Sequence, residues 1–324
     1  EGRNYLWVKD AKGNTTTQEI VVLLGTSFDT TFVANNNDLF NHNGIRYEGA
    51  NPNNYICLDN NTTGSCSNKE LLFRIIGLFE EELTGSSIMN NSKSKLLKII
   101  STTDYGTSRW AASTVSTNNY NLNNWEQSDI ATTINNDYLG NLFNISEFHS
   151  KFANQHNGMA QAKWHLGGAS SSNYSTLTAE GIYTEERNTS AIYSGNPSSI
   201  YAKVGLMYPS DYGYATVGGT TTNRAGCRAK AVYDYDTADC KNNDWLFTSQ
   251  ATSWGSNKNE WLLSPSSSKS YNAAGLYSSG YVNLYNISTG NTQFAVRPTF
   301  YLDSSILKIV GTGDGTKDNA YRVG

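Results

Sequence analysis

The sequence predicts an α+β fold with small twisted antiparallel sheets, two helices and a long loop-rich insertion. Three observations predict it. Between about 17 and 110, short β-branched and apolar runs alternate with Asn/Gly/Ser turns. From Trp125 to Trp164, apolar residues switch to helical spacing. From Glu260 onward, alternating strand-like segments return.

In order along the chain, "NYLWVKDAKGNTT" reads as a strand leading into a turn at Lys12-Gly13-Asn14. "EIVVLLG" and "NYICLD" read as strands, and "LLFRIIGLFEEE" and "SKLLKIISTTDYG" as a hairpin turning around Thr84-Gly85-Ser86-Ser87. A helix over Lys69–Leu83 is the alternative, but Gly77 and the paired isoleucines favour a strand. Trp125, Ile130, Ile134, Tyr138 and Leu142 share one helical face, with Ser128-Asp129 as the cap of a late start. Ser146 is the candidate N-cap of a second helix, which gives way to a strand at Ala162–Leu166. Residues 169–260 form a loop-rich insertion with sparse regular structure, a length that usually marks function. "EWLLSPSS", "AAGLYSSGYVNLYN" and "FAVRPTFYL" close the fold as strands, with a turn at Ser278-Ser279-Gly280 and a further loop at Gly290.

Composition excludes several classes. Hydrophobic residues are 38% and charged residues 16% of the 324, against about 45–50% and about 25% in ordinary domains. Asn, Ser, Thr and Gly fill the difference, yet 7 Trp, 21 Tyr and 11 Phe supply a core, so the chain is not a disordered one. Lys and Arg number 24 and Asp and Glu 28, a net charge of −4, with no basic run to draw nucleic acid. No apolar stretch approaches a membrane span, and the chain opens without a signal peptide, as a processed fragment would.

The cysteines fall as two local pairs, Cys57 with Cys66 and Cys227 with Cys240, each in polar loop sequence. Loop-closing disulfides and an oxidising, extracellular compartment are expected. Free thiols are the alternative; a zinc site has neither a C-x-x-C motif nor clustered histidines to support it.

The final segments, Trp261-Leu262-Leu263-Ser264-Pro265, Ser279-Gly280-Tyr281-Val282-Asn283 and Ala295-Val296-Arg297-Pro298, resemble the C-terminal part of C-type lectin-like domains of the formylglycine-generating-enzyme type. They look most like the bacterial and phage ligand-binding proteins diversified by retroelements. "WEQSDIATTIN", "WHLGG", "KVGLMYPSDYGYAT" and "GDGTKDNAY" resemble surface proteins of gut Firmicutes, so the likeness spans roughly 65–320. Residues 1–16 resemble the last strand of an immunoglobulin-like repeat. The domain organisation this implies is a remnant of an upstream module at 1–16 and a C-type lectin-like domain over 17–324, carrying its insertion at about 169–260. The resemblance also implies a ligand face in the C-terminal region, varied among close relatives, within a larger multidomain surface protein.

The residues support such a face independently. On a strand, alternate side chains face opposite ways. Leu276, Val282 and Leu284 form an apolar set; Tyr277, Tyr281, Asn283 and Tyr285 form the other, on the expected outward side. Tyr271, Asn272, Asn286, Ser288, Asn291 and Gln293 continue the same chemistry. Tyrosine gives rigid amphipathic contact area at low entropic cost, and Asn and Ser give adaptable hydrogen bonds, the composition of a paratope. The expected function is an adhesin- or receptor-like module binding protein or glycan, with no cofactor. An ordinary solvated face in a chain rich in these residues throughout is the competing reading.

Other chemistry has candidates. Glu80-Glu81-Glu82 offers carboxylates for a cell-wall or glycan hydrolase, or else a solvated charge run. His42, His149, His156 and His165 carry no motif, and no cysteine follows Cys240 to serve formylglycine-type chemistry. Asp234, Asp236 and Asp239, and Asp314 with Asp318 and Asn319, offer oxygen ligands for Ca²⁺, without EF-hand spacing, or plain Asx turns. Arg297, inside an apolar strand, is expected to meet a buried carboxylate or backbone carbonyls, and Trp125, Trp164 and Trp261 to fill the core. A structural surface-layer or pilus-tip subunit, self-associating through an apolar patch, is a third functional class.

Overall fold

The computed structural model describes residues 8–9, 15–16, 39–84, 93–111, 123–153, 158–217, 225–247, 259–287, 293–303 and 309–323. The architecture is α+β, and its sheets are antiparallel except at two pairings: Tyr55–Cys57 with Tyr321–Val323, and Glu260 with Ala295. The strand "EIVVLLG" and the turns at 12–14, 85–87 and 290 lie outside the described residues.

The largest sheet has ten strands rather than the few expected. Its centre is the predicted hairpin, Leu72–Glu82 against Lys93–Ser101. The register shifts between Ile75 and Gly77, where Ile45–Tyr47 crosses. A Cβ on Gly77 would stand 2.2 Å from the Ile45 carbonyl oxygen, so only glycine permits that approach. The strand Thr299–Asp303 flanks Lys93–Ser101 and also receives Val204–Gly205 and Met159–Ala160.

The helical face read from the sequence is the buried one: Trp125, Ile130, Ile134, Tyr138 and Leu142 are all in the core. The Ser128 side chain accepts from the Ala131 amide and caps the start. The helix widens to a π-turn over Thr133–Tyr138. There Asn135 pairs with both backbone groups of Val204, at 2.9 and 3.1 Å, tying the helix to the sheet edge. The second helix runs Ser146–Phe152, with Ile145 at the cap position and Ser146 already helical, one residue from expectation. The strand Ala162–His165 follows as predicted and pairs with Ser199–Ala202.

The segment 169–260 is more regular than its composition suggests. Ala179–Arg187 is a helix capped by Thr178, and Pro209–Ala215 a helix with proline in its first turn. The two pack so closely that a Cβ on Gly213 would meet the Ala179 Cβ at 2.7 Å. Both cysteine pairs are bonded as expected, with Cα separations of 5.7 Å (Cys57–Cys66) and 5.6 Å (Cys227–Cys240). None of the described helices is long and apolar enough to cross a membrane.

Buried ionic groups join these elements. Asp211 is held by Lys98 and, at 3.0 Å, by Arg46. Arg297 grips Glu260 through Nε at 2.9 Å and Nη2 at 3.1 Å and also donates to the Leu246 carbonyl, as its place in an apolar strand led one to expect. Trp125, Trp164 and Trp261 are fully buried.

Candidate ligand face

The C-terminal sheet runs Val282–Asn286, Asn272–Leu276, Glu260–Pro265, Phe294–Ala295, Thr107–Ser108. Its hairpin has Leu276 opposite Val282, Gly275 opposite Asn283 and Ala273 opposite Tyr285. Directly opposed residues share a face. Leu276, Val282, Ala274 and Leu284 therefore lie on one side, and Gly275, Asn283, Ala273 and Tyr285 on the other, the alternation read from the sequence.

On that second side the tyrosines form a row. The Tyr277 ring stacks on Tyr281 (centroids 4.9 Å, planes 16° apart) and on Tyr285 (5.9 Å, 7°). The row continues inward. Tyr285 meets Phe294 edge-on at 4.8 Å, and Phe294 stacks on Trp261 at 4.2 Å. One end of the row is thus rooted in the core. Tyr277, Tyr281, Asn283 and Tyr285 are all half-buried rather than freely exposed. Burial of the Tyr285 hydroxyl, with the Tyr281 and Tyr277 phenols beside it, raises its pKa.

The turn beneath the row is tightly held. The Gly280 amide donates to the Tyr277 carbonyl and the Tyr277 amide to the Tyr281 carbonyl, both at 2.8 Å. The buried Tyr212 hydroxyl donates to the Gly280 carbonyl at 2.6 Å, and Asn259 accepts from the Ser278 amide at 2.9 Å. Gly280 has φ +104°, a conformation glycine adopts without strain.

The remaining candidates are dispersed. Asn272 and Asn286 oppose each other on the apolar side. Asn283 accepts from its neighbour's amide, Leu284 N, at 2.8 Å, and so covers an N–H of the outermost strand. Tyr271 is exposed just before the hairpin, and Gln293 accepts from Thr107 at the sheet's far edge. Ser288 and Asn291 lie outside the described residues. A residue that the sequence did not single out joins the row: Tyr233, whose ring lies 5.4 Å from Tyr281.

The acidic run Glu80–Glu82 is not uniformly solvated. Glu81 is buried and meets Arg187 (3.3 Å) and His165 (3.4 Å); Glu82 pairs with Lys163 at 3.0 Å. Burial raises the Glu81 pKa, but the His165 hydrogen bond and the Arg187 charge outweigh it and hold it low. Arg187 also contacts Glu186, whose carboxylate takes the Ser210 amide and hydroxyl. Burial pushes the Glu186 pKa up to about 7. His42 stands 3.7 Å from Glu180, His149 is exposed, and His156 lies outside the described residues.

Asp234, Asp236 and Asp239 are exposed and do not converge: among the described residues, the one group close enough to share an ion is Cys57, Asp59 and Cys66, whose sulfurs form the disulfide. Asp314 accepts from the Thr316 amide and hydroxyl, an Asx turn. Comparison with protein-family models, with curated proteins and with solved structures finds no match.

Proposed function

We propose that this chain is a surface-displayed, adhesin- or receptor-like module on a C-type lectin-like fold, and that it binds a protein ligand through the tyrosine row of its C-terminal hairpin. The row Tyr281–Tyr277–Tyr285, rooted on Phe294 and Trp261, carries this reading. A turn fixed by Tyr212 and Asn259 offers these rings without an ordering cost on binding. The ring of Tyr277 is stacked on both neighbours, so at the open end ring edges and the Tyr277 and Tyr281 hydroxyls remain for a partner. That favours a polypeptide over a sugar, which would need a free ring face. The two disulfides are compatible with an extracellular setting.

The chain acts by binding rather than by catalysis in this reading, and the buried carboxylates Glu81 and Glu186 are both engaged by Arg187. It forms part of a larger surface protein, and close relatives differ at the hairpin. A near-repeat of the 260–300 coding region beside a reverse transcriptase gene is the genomic sign of that diversification.

The test is an array of extracellular proteins and glycans probed with wild type and with Tyr277→Ala/Tyr281→Ala. Binding to protein features should fall at least about tenfold in the double variant, as for hot-spot aromatics, with unchanged far-UV circular dichroism. Unchanged binding by the double variant defeats the reading. Concentration-dependent self-association in light scattering, with no heterologous binding, would favour a structural subunit instead.

A further inference from the structure

Tyr233 sits in the loop closed by Cys227–Cys240, 39 residues before the hairpin's first residue, Asn272, and its placement has a built character. The loop is pinned on both sides of it. Val232 is fully buried and its amide donates to the Leu177 carbonyl at 3.0 Å. Tyr235 is fully buried and its hydroxyl donates to the Gly213 carbonyl at 3.0 Å. Both cysteines are buried. Between these anchors Tyr233 is 39% exposed, one of three large hydrophobic side chains left so open among the described residues. A single exposed tyrosine needs no explanation. This one lies against Tyr281, at the outer end of the row.

Loop and hairpin turn are also fitted to each other. A Cβ on Gly280 would meet the Lys241 Cβ at 2.8 Å and the Tyr235 carbonyl oxygen at 3.4 Å. Tyr212, which holds the Gly280 carbonyl, packs its ring 5.9 Å from that of Tyr235. The same contacts that fix the turn therefore fix the loop, and the two present the exposed Tyr233 and the half-buried Tyr281 side by side.

We infer that the disulfide-closed loop is the second half of the ligand face: Tyr233 is a binding residue for the polypeptide partner, and the Cys227–Cys240 bond keeps it in register with Tyr281. The inference rests on the proposed function and adds to it a second segment and a dependence on the oxidised state. An aromatic pair contributed by two separately anchored segments gives a rigid contact of the kind that dominates binding energy. Reduction frees the loop ends and lets Tyr233 leave the row.

The test pans a phage-displayed random dodecapeptide library against the oxidised wild-type protein. Single clones are then measured by interferometry against Tyr233→Ala, Tyr277→Ala/Tyr281→Ala and Cys227→Ser/Cys240→Ser. Tyr201→Ala, an exposed tyrosine on the strand Ser199–Ala202 that pairs with Ala162–His165, is the control. Clones should lose at least about tenfold in affinity with Tyr233→Ala, as with the hairpin pair, and keep it with the control. The cysteine variant and mild reduction should weaken them too, with circular dichroism confirming the fold. Should the cysteine variant not fold, Tyr233→Ala alone decides. Clones sensitive to the hairpin pair but not to Tyr233→Ala overturn this inference and leave the hairpin reading standing. Clones indifferent to both, or no selectable clone, overturn both. Selection restored by a glycan microarray hit that requires the tyrosines replaces the polypeptide partner and defeats the inference as stated.

Discussion

Tyr285 lies directly over Gly275. A Cβ at position 275 would stand 2.8 Å from Tyr285 Cδ2 and 3.0 Å from Phe294 Cε2. The absence of a side chain on the inner strand is what lets the outer tyrosine fold down onto Phe294. Gly275→Ala should force both rings outward and cost about 1–3 kcal/mol, the usual penalty for overpacking. Gly275→Val should cost more. Denaturant midpoints measure the loss. Near-UV circular dichroism reports the disturbed tyrosine row, and an unchanged spectrum would show that the rings do not depend on the glycine.

The Arg297–Glu260 pair is bidentate and almost without solvent, at 2% and 0% exposure. Removing one partner strands the other. Arg297→Met should destabilise the fold by about 3–5 kcal/mol, the range for breaking a buried pair. Arg297→Met/Glu260→Gln should recover part of it, because the second change removes the stranded charge. A double variant no more stable than the single one would mean that the lost bond to the Leu246 carbonyl carries the effect.

Arg297 illustrates how far a sequence can be read. An arginine in an apolar strand has to find an acceptor, so a buried carboxylate could be expected, although not which one. Local signals were similarly legible: the Ser128 cap, the strand through Gly77, the alternation at 276–285 and the two short cysteine loops. What stayed hidden is long-range. Glu81 reads as the middle of a charged run until Arg187, 106 residues on, meets it in the core. The helix Pro209–Ala215 has two tyrosines and a glycine in seven residues, poor formers whose helicity comes from packing against Ala179–Arg187. Tyr233 gave no signal because nothing in its neighbours announces that its loop folds onto the hairpin.

The buried carboxylates give stability a characteristic pH profile. Burial raises Glu186 to about 7 and Glu260 to about 6 from an ordinary value of 4.5. In the window from 4.5 to these values, the folded chain binds more protons than the unfolded one, so stability falls as pH rises. Glu81 and Asp211 act oppositely. Their folded pKa values are lowered, and their contribution is lost as pH falls below the ordinary 4.5 and 3.8 through the folded values. Stability should therefore peak near pH 4.5 and decline toward 7. Glu186→Gln should flatten the decline between about 5 and 7 without altering the acid limb. A denaturant series at several pH values measures both limbs, and a decline undiminished in the variant assigns it to other groups.

Tyr285 differs in role from the tyrosines beside it. It packs on Phe294 and within 6.4 Å of Trp261, so it is the root of the row rather than part of its open end. Tyr285→Ala should cost about 2–4 kcal/mol, approaching the loss for a buried aromatic. Tyr277→Ala/Tyr281→Ala, at the open end, should cost markedly less. A binding test that included Tyr285→Ala would confuse lost contact with a loosened sheet. Tyr285→Phe separates the two effects. The hydroxyl is buried beside the Tyr281 phenol, and removing it costs at most one weak neutral contact, so stability should change by no more than about 1 kcal/mol. Thermal melts of the three variants rank them. A Tyr285→Phe melt depressed as far as that of Tyr285→Ala would place the stabilisation in the hydroxyl and not in the ring.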